Sequence, residues 1–330
     1  MDLLEPVAEQ YRRFVPFAVG YSPCFAEWAA SVVDDPPVME WIGTLPQIKQ
    51  QPNLVFAAAR WHGVPAPGPY AGLREALLGD DGTIRRTILS RSTQTNEAGR
   101  LATLVPAFAG LATDGPIALV EAGASAGLCL FPDRWGYEWV TPEGVVRLGP
   151  EQPRQRCLVE GPAPLPDRLP DVAWRGGVDL NPLDVTDPDA TAWLTNLVWP
   201  EHDDRRAQLR RAIEVAAAEP PPIERGDLLE RLPDLVARAS RHGTGVVFHS
   251  AVIAYLEEEQ RREFTRMMTG LVAEGACHWV SNEGPNVLPT VTATGPAMPA
   301  EPARLVLGVD GRAVAWTDGH GRFMTWLPTR

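Results

Sequence analysis

The sequence is poor in the features that would assign a chain at sight. Its four cysteines, Cys24, Cys129, Cys157 and Cys277, lie far apart, with no C-x-x-C pair and no histidine at ligand spacing. That excludes a cysteine zinc motif or a disulfide framework and leaves free, buried thiols. His202, His242, His278 and His320 show no H-E-x-x-H or related spacing, so no metal is expected. No run approaches the ~18 apolar residues of a membrane span, and Met1-Asp2-Leu3-Leu4-Glu5-Pro6 lacks the basic start and apolar core of a signal peptide. The expectation is a cytoplasmic protein with no membrane partner. No Lys/Arg-rich stretch is interleaved with aromatics, and 30 basic against 42 acidic residues give a net charge of -12. A nucleic-acid groove is therefore disfavoured, and a small-molecule substrate, or less readily a protein, is expected. The chain has no internal repeat and nothing that fixes an oligomeric state.

What is present suits a large α/β enzyme. In 330 residues, 45% apolar content can fill a sizeable core, and the 33 prolines are scattered through turns with glycine. Before about residue 112 the pattern is helical: Leu4, Val7, Tyr11 and Phe14 recur at three- and four-residue steps, as do Phe25, Trp28, Ala29 and Val32. Further helices are expected from Pro52 to Arg60 and from Glu97 to Leu111. After the turn cluster Thr113-Asp114-Gly115-Pro116, the apolar run Ile117 to Val120 reads as a buried parallel strand ending at Glu121. Strands are expected again at Ala173 to Leu180, Gly245 to His249 and Cys277 to Asn282. The helical stretches Asp187 to Trp199, Asp204 to Ala218 and Leu256 to Ala273 alternate with them. Arg304 to Val309, Ala313 to Trp316 and Phe323 to Leu327 read as antiparallel strands finishing one edge of the sheet. The resulting fold class is α/β: a Rossmann-like, doubly wound, mostly parallel sheet with antiparallel C-terminal edge strands, preceded by a helical N-terminal region. Residues 1–112 would cover the substrate, and 113–330 would form the core, with a Pro-rich insertion at about 140–172.

The most informative segment is Glu121-Ala122-Gly123-Ala124-Ser125-Ala126-Gly127-Leu128, small residues where a strand ends and a helix is expected to begin. Missing side chains admit a ligand close to the backbone, and free N–H groups at a helix start favour an anionic or electron-rich group. A nicotinamide site prefers G-x-G-x-x-G, which this is not. The same residues satisfy G-x-S-x-G, so Ser125 can instead be read as the nucleophile of a serine hydrolase. Against that, a hydrolase builds several strands before its elbow, and the preceding hundred residues look helical. Downstream, Asp179 in Gly177-Val178-Asp179 ends a second strand, where a carboxylate accepts hydrogen bonds from ribose hydroxyls. Asp227 in Arg225-Gly226-Asp227 is placed to receive an adenine amino group. Taken singly, each aspartate is more often a cap or turn residue.

The set Glu121-x-Gly123-x-Ser125-x-Gly127, Gly177-Val178-Asp179 and Gly226-Asp227 resembles the cofactor-binding motifs of class I S-adenosylmethionine-dependent methyltransferases. Ser125 stands at the middle glycine of that pattern. More closely, Gln94-Thr95-Asn96-Glu97, Gly123 to Leu128, Asp179-Leu180-Asn181-Pro182-Leu183-Asp184 and Phe248-His249-Ser250 resemble an uncharacterised bacterial family catalogued as domain of unknown function 2332. The resemblance to the methyltransferases implies S-adenosylmethionine as cofactor. Glu121, Gly123, Ser125 and Gly127 would lie at its methionine end, Asp179 at the ribose and Asp227 at the adenine.

Methyl transfer from a sulfonium needs an acceptor held in line, water excluded and, for some acceptors, a proton removed. Residues after the later strands face the crevice of such sheets, which nominates His249 and Glu283 as catalytic groups, with Ser250 and Asn282 beside them. A core histidine and a turn acid are the plainer alternatives for the first two. Gln94, Thr95, Asn96 and Glu97 offer more hydrogen-bonding groups than one helix cap needs, and are assigned to a substrate or cofactor lid, with simple capping as the alternative. Arg91 and Arg100 flank them as readers of a carboxylate or as solvated surface residues, and Ser250 joins Arg91, Gln94, Asn96 and Glu97 as a substrate-binding residue. Trp193, Trp199 and Trp279 fall near the expected crevice, where core packing is the better reading. Besides the methyltransferase and the hydrolase, a non-catalytic nucleoside-binding protein fits the same motifs.

Overall fold

A computed structural model describes residues 6–94, 96–112, 115–299 and 304–328. Leu4, Thr95, Thr113 and Asp114 lie outside the described residues. The chain divides into two compact units, one of Met1–Thr95 and Pro188–Ala207, the other of Asn96–Asp187 and Gln208–Arg330. The boundary thus falls at residue 95 rather than 112, and a later helical segment joins the first unit.

The helices are α1 (Val7–Val19), α2 (Pro23–Val33), α3 (Pro36–Gly43), α4 (Pro52–Trp61), α5 (Tyr70–Leu78), α6 (Thr83–Ser90), α7 (Leu101–Leu111), α8 (Pro188–Leu197), α9 (Asp203–Ala218), α10 (Leu228–Ala239), α11 (Glu258–Ala273) and the single turn α12 (Pro289–Thr292). Prolines open α2, α3 and α4, where a missing N–H costs nothing. Ser22 caps α2 by accepting from Phe25 N at 3.1 Å. The helical unit closes around Phe14, Phe25, Trp28, Phe56 and Trp199, whose rings meet edge-on or tilted except for Phe25 and Trp28, which stack. Trp193 and Trp199 are core residues of this unit. No helix among the described residues is long and apolar enough to cross a membrane.

The second unit is built on β1 (Ile117–Ala122), β2 (Gly136–Thr141), β3 (Gly144–Leu148), β4 (Arg154–Glu160), β5 (Val172–Asp179), β6 (Ile223–Arg225), β7 (Thr244–Ser250), β8 (His278–Glu283), β9 (Leu305–Val309), β10 (Arg312–Thr317) and β11 (Phe323–Trp326). They form one sheet in the order β3-β2-β4-β11-β10-β9-β8-β7-β1-β5-β6. Six of its ten pairings are parallel, so the molecule is α/β with a large, mostly parallel sheet. All six residues of β1 are buried, as a continuous apolar run demands of a central parallel strand. Leu232, Leu235, Val236 and Ala239 of α10 cover one face of β1, while Phe108 of α7 meets Phe248 on the other face at 5.2 Å between ring centres.

Three expectations need correction. The C-terminal strands are antiparallel, but they do not finish an edge, because β11 pairs in parallel with β4 and β2 and β3 lie beyond. The supposed Pro-rich insertion supplies those strands. In β4 the residues Gln155, Cys157 and Val159 are buried on one face and alternate with exposed Arg156, Leu158 and Glu160, a period-two signal hidden between prolines. The irregular stretches are Gly149 to Pro153 and Gly161 to Asp171. Finally, no α-helix follows the glycine turn. Two short 3-10 turns, Leu128–Leu130 and Pro132–Arg134, take its place, since Gly127 is left-handed (φ 68) and Pro132 lacks the N–H a continuing helix needs.

Candidate functional site

The turn after β1 is locked by its neighbours. Gly123 and Ser125 have φ of 70 and 51, the left-handed region that disfavours a side chain. A Cβ on Gly123 would stand 2.3 Å from Val252 Cγ1, so that glycine is required by packing alone. The turn's amides are also spent within the protein. Gly123 N and Ala124 N donate to Val178 O at 2.8 and 3.1 Å, Gly127 N donates to Ala124 O at 2.6 Å, and Leu128 N donates to Asn96 Oδ1 at 2.6 Å. Asn96 Nδ2 returns a bond to Ala124 O at 3.1 Å, so Asn96 clamps the turn from both sides. The expected row of free N–H groups at a helix start is therefore absent among the described residues.

Side-chain oxygens gather there instead. Asp179, at the end of β5, accepts from Ser125 N at 2.8 Å through Oδ2 and from Asn181 N at 2.7 Å through Oδ1. Its carbonyl accepts from Gly226 N at 3.0 Å, which sets Asp227 beside it. Asp227 caps α10, accepting from Leu229 N at 2.8 Å. The turn, Asp179 and Asp227 thus share the C-terminal ends of β1, β5 and β6. Both carboxylates are half-buried, and each oxygen retains a lone pair for a hydroxyl or amino donor.

Next to the turn lies a buried polar cluster. Glu121 (5% exposed) carries an Oε2, and Ser125 an Oγ, that are sealed from solvent and have no hydrogen-bond partner. Burial pushes the Glu121 carboxyl well above its ordinary range, Arg100 opposes this and Asp179 adds to it. Arg100 Nη1 donates to Ser250 O at 2.7 Å and Nε to Gly319 O at 2.8 Å. Ser250 Oγ accepts from Asn282 Nδ2 at 2.9 Å, and Asn282 Oδ1 accepts from Thr317 at 2.6 Å. Glu97 Oε2 meets His320 Nδ1 at 3.2 Å, and Cys129 Sγ donates to Glu97 O at 3.4 Å. Burial raises the Cys129 thiol well above its usual value, which makes it a poor nucleophile. All four cysteines are free and buried.

His249 and Glu283 meet on the opposite face of the sheet. His249 Nδ1 lies 2.7 Å from Glu283 Oε1, which also accepts from Val252 N at 2.9 Å and Ile253 N at 3.1 Å. Trp279 Nε1 donates to His249 Nε2 at 3.0 Å, and an indole only donates. The imidazole is therefore neutral, with its proton on Nδ1. The ring is fully buried and both nitrogens are occupied, so His249 has none left for a substrate. Arg91 belongs to the helical unit, where its guanidinium binds Asp189 at 2.7 Å and faces the rings of Trp61 and Trp193 at 4.8 and 5.0 Å. Gln94 is half-buried in the same unit. Of the residues singled out from the sequence, Asn96, Glu97, Glu121, Gly123, Ser125, Gly127, Asp179, Asp227 and Ser250 come together. Thr317, Asp318 and His320 join the cluster from a segment that reads only as an Asp-Gly turn, and no local signal marks them.

The family described as uncharacterized protein conserved in bacteria (DUF2332) has a model that matches residues 8–326. The chain belongs to that family. No curated protein and no solved structure matches it. Two cavities of the sheet unit lie away from the cluster: one of about 430 Å³ lined by Ala109, Ala112, Pro116, Pro164 and Asp171 among others, and one of about 310 Å³ at Thr265, Trp279 and Asp310.

Proposed function

We propose that this member of DUF2332 is an S-adenosylmethionine-dependent methyltransferase acting on a small-molecule acceptor, in a cytoplasmic setting. The carrying observation is the junction of the turn with Asp179 and Gly226-Asp227 at the ends of three parallel strands. The core order β6-β5-β1-β7-β8 supports a Rossmann-like, doubly wound reading: numbered along the chain, it runs 3-2-1-4-5 and reverses direction between β1 and β7. Ligands of such sheets bind in the crevice at that reversal. The residues fit the cofactor. Buried oxygens of Glu121 and Ser125 without partners supply polar contacts beside Gly123 and Gly127, Asp179 offers acceptors to a ribose, and Asp227 offers one to an adenine amino group.

When bound, the cofactor supplies a methyl group already activated by a sulfonium. The chain's part is to orient the acceptor, exclude water and take up a proton where the acceptor carries one. With His249 spent, His320 is the better proton acceptor. Glu97 holds its Nδ1, and Nε2 carries no hydrogen bond among the described residues. Its side chain is 27% exposed, so that nitrogen has access to a substrate.

One observation favours the serine hydrolase as a second reading: Ser125 is a non-glycine residue at φ 51, as a nucleophile elbow requires. Its Oγ nevertheless has no base within hydrogen-bond reach. Calorimetric titration with S-adenosylmethionine tests the main reading. The wild type should bind, and Asp179→Ala, checked for folding, should bind about tenfold more weakly or worse. Absence of heat together with labelling of Ser125 by a fluorophosphonate would replace the methyltransferase with the hydrolase. Binding without methyl transfer to any component of a cell extract would leave the non-catalytic nucleoside-binding protein.

A further inference from the structure

Arg100 is a buried cation without a counter-ion. It ends the short 3-10 turn Ala98–Arg100 and is 9% exposed. Its two hydrogen bonds run to backbone carbonyls, those of Ser250 and Gly319, and among the described residues it forms no ion pair. Asp318 nearby is committed to Arg322, through Oδ2 at 2.9 Å and Oδ1 at 3.0 Å. Burial pushes the Glu121 carboxyl up, and no hydrogen bond or ion pair joins it to Arg100 among the described residues. Charged side chains are seldom buried unpaired, because carbonyl dipoles offset only part of the lost hydration. The carbonyls pin the guanidinium through Nε and Nη1. Nη2 donates to no described group, yet it is not among the nitrogens and oxygens sealed from solvent. A fixed guanidinium with one open N–H arm and no ion-pair partner among the described residues is suited to receive an anion.

We propose that Arg100 receives the carboxylate of a small-molecule ligand, at the end of β7 beside the glycine turn. The inference rests on the methyltransferase reading, in which that carboxylate belongs either to the amino-acid end of the cofactor or to the methyl acceptor.

S-adenosylhomocysteine and its decarboxylated analogue, 5′-deoxy-5′-(3-aminopropylthio)adenosine, share the nucleoside and the amino group and differ only in the carboxylate, so their affinity ratio reports that group. It does so even in a variant of altered stability. If the carboxylate is the cofactor's, the wild type should prefer the former by about tenfold or more. Arg100→Gln should then abolish the preference while leaving binding of the decarboxylated analogue unchanged, and Arg100→Lys should keep part of it. If the preference survives Arg100→Gln, the acceptor arm decides. Products labelled in cell extract by the wild type should carry a carboxylate, and Arg100→Gln should raise the KM for them by about tenfold with kcat less affected. Intact preference together with uncharged acceptors overturns the inference and spares the methyltransferase. Failure of both nucleosides to bind removes the reading beneath it.

Discussion

The sheet unit holds two histidine–glutamate pairs of opposite character. In His249–Glu283 the ring is wholly buried, its second nitrogen accepts from Trp279, and the carboxylate oxygen it meets also collects two backbone amides. In His320–Glu97 the ring is partly exposed and its second nitrogen is open. The residue types are the same, but the unspent valences differ, and these decide which pair can handle a proton. The first pair fastens β7 to β8. The second holds an imidazole at the rim of the polar cluster.

Substitutions sharpen the contrast. His249→Ala strands a buried carboxylate and an indole N–H and opens a void, so unfolding in urea should show a loss of about 3–5 kcal/mol, with methyl transfer per folded molecule preserved. A stable variant that had lost activity would reverse the two assignments. His320→Gln should do the converse. It should lower the methylation rate about a hundredfold, equivalent to about 2.7 kcal/mol, with little change in stability or S-adenosylhomocysteine affinity. Asp227→Ala removes the cap of α10 and should cost about 1 kcal/mol of stability. It should also weaken S-adenosylhomocysteine binding, and a stability loss without that weakening would reduce Asp227 to a cap.

The smallest effect concerns Glu121. Burial keeps its proton above the usual carboxyl range, so its contribution to stability is complete below the unfolded-state value and is lost as pH rises through the raised one. Glu121→Gln, permanently neutral, should therefore gain on the wild type in melting temperature as pH rises above the ordinary carboxyl range. A difference that does not vary with pH would mean that Glu121 is already ionised, and Arg100 would then have its counter-ion.

Much of this was legible in the sequence, for identifiable reasons. Continuous apolar runs marked β1, β7 and β8, and three- and four-residue periodicity marked α1 and α2, because burial on two faces or on one leaves those patterns. The three-residue β6 was too short to leave one, and the alternation of β4 was masked by flanking prolines. At the site, the small-residue turn and Asp179 stood out because backbone geometry and strand ends constrain residue type locally. His249 was preferred over His320 for following a strand. Nothing in Phe248-His249-Ser250 reveals that Trp279, thirty positions on, fills its second nitrogen. Spent and open valences are properties of contacts between distant segments, so only the fold discloses them.

The most direct measurement is a crystal structure with S-adenosylhomocysteine bound. It should show both ribose hydroxyls within about 3 Å of the Asp179 carboxylate, with the nucleoside crossing the ends of β1, β5 and β6. A ligand seated elsewhere, for instance in the cavity lined by Ala109, Pro116, Pro164 and Asp171, or no ligand at saturating concentration, would contradict the assignment.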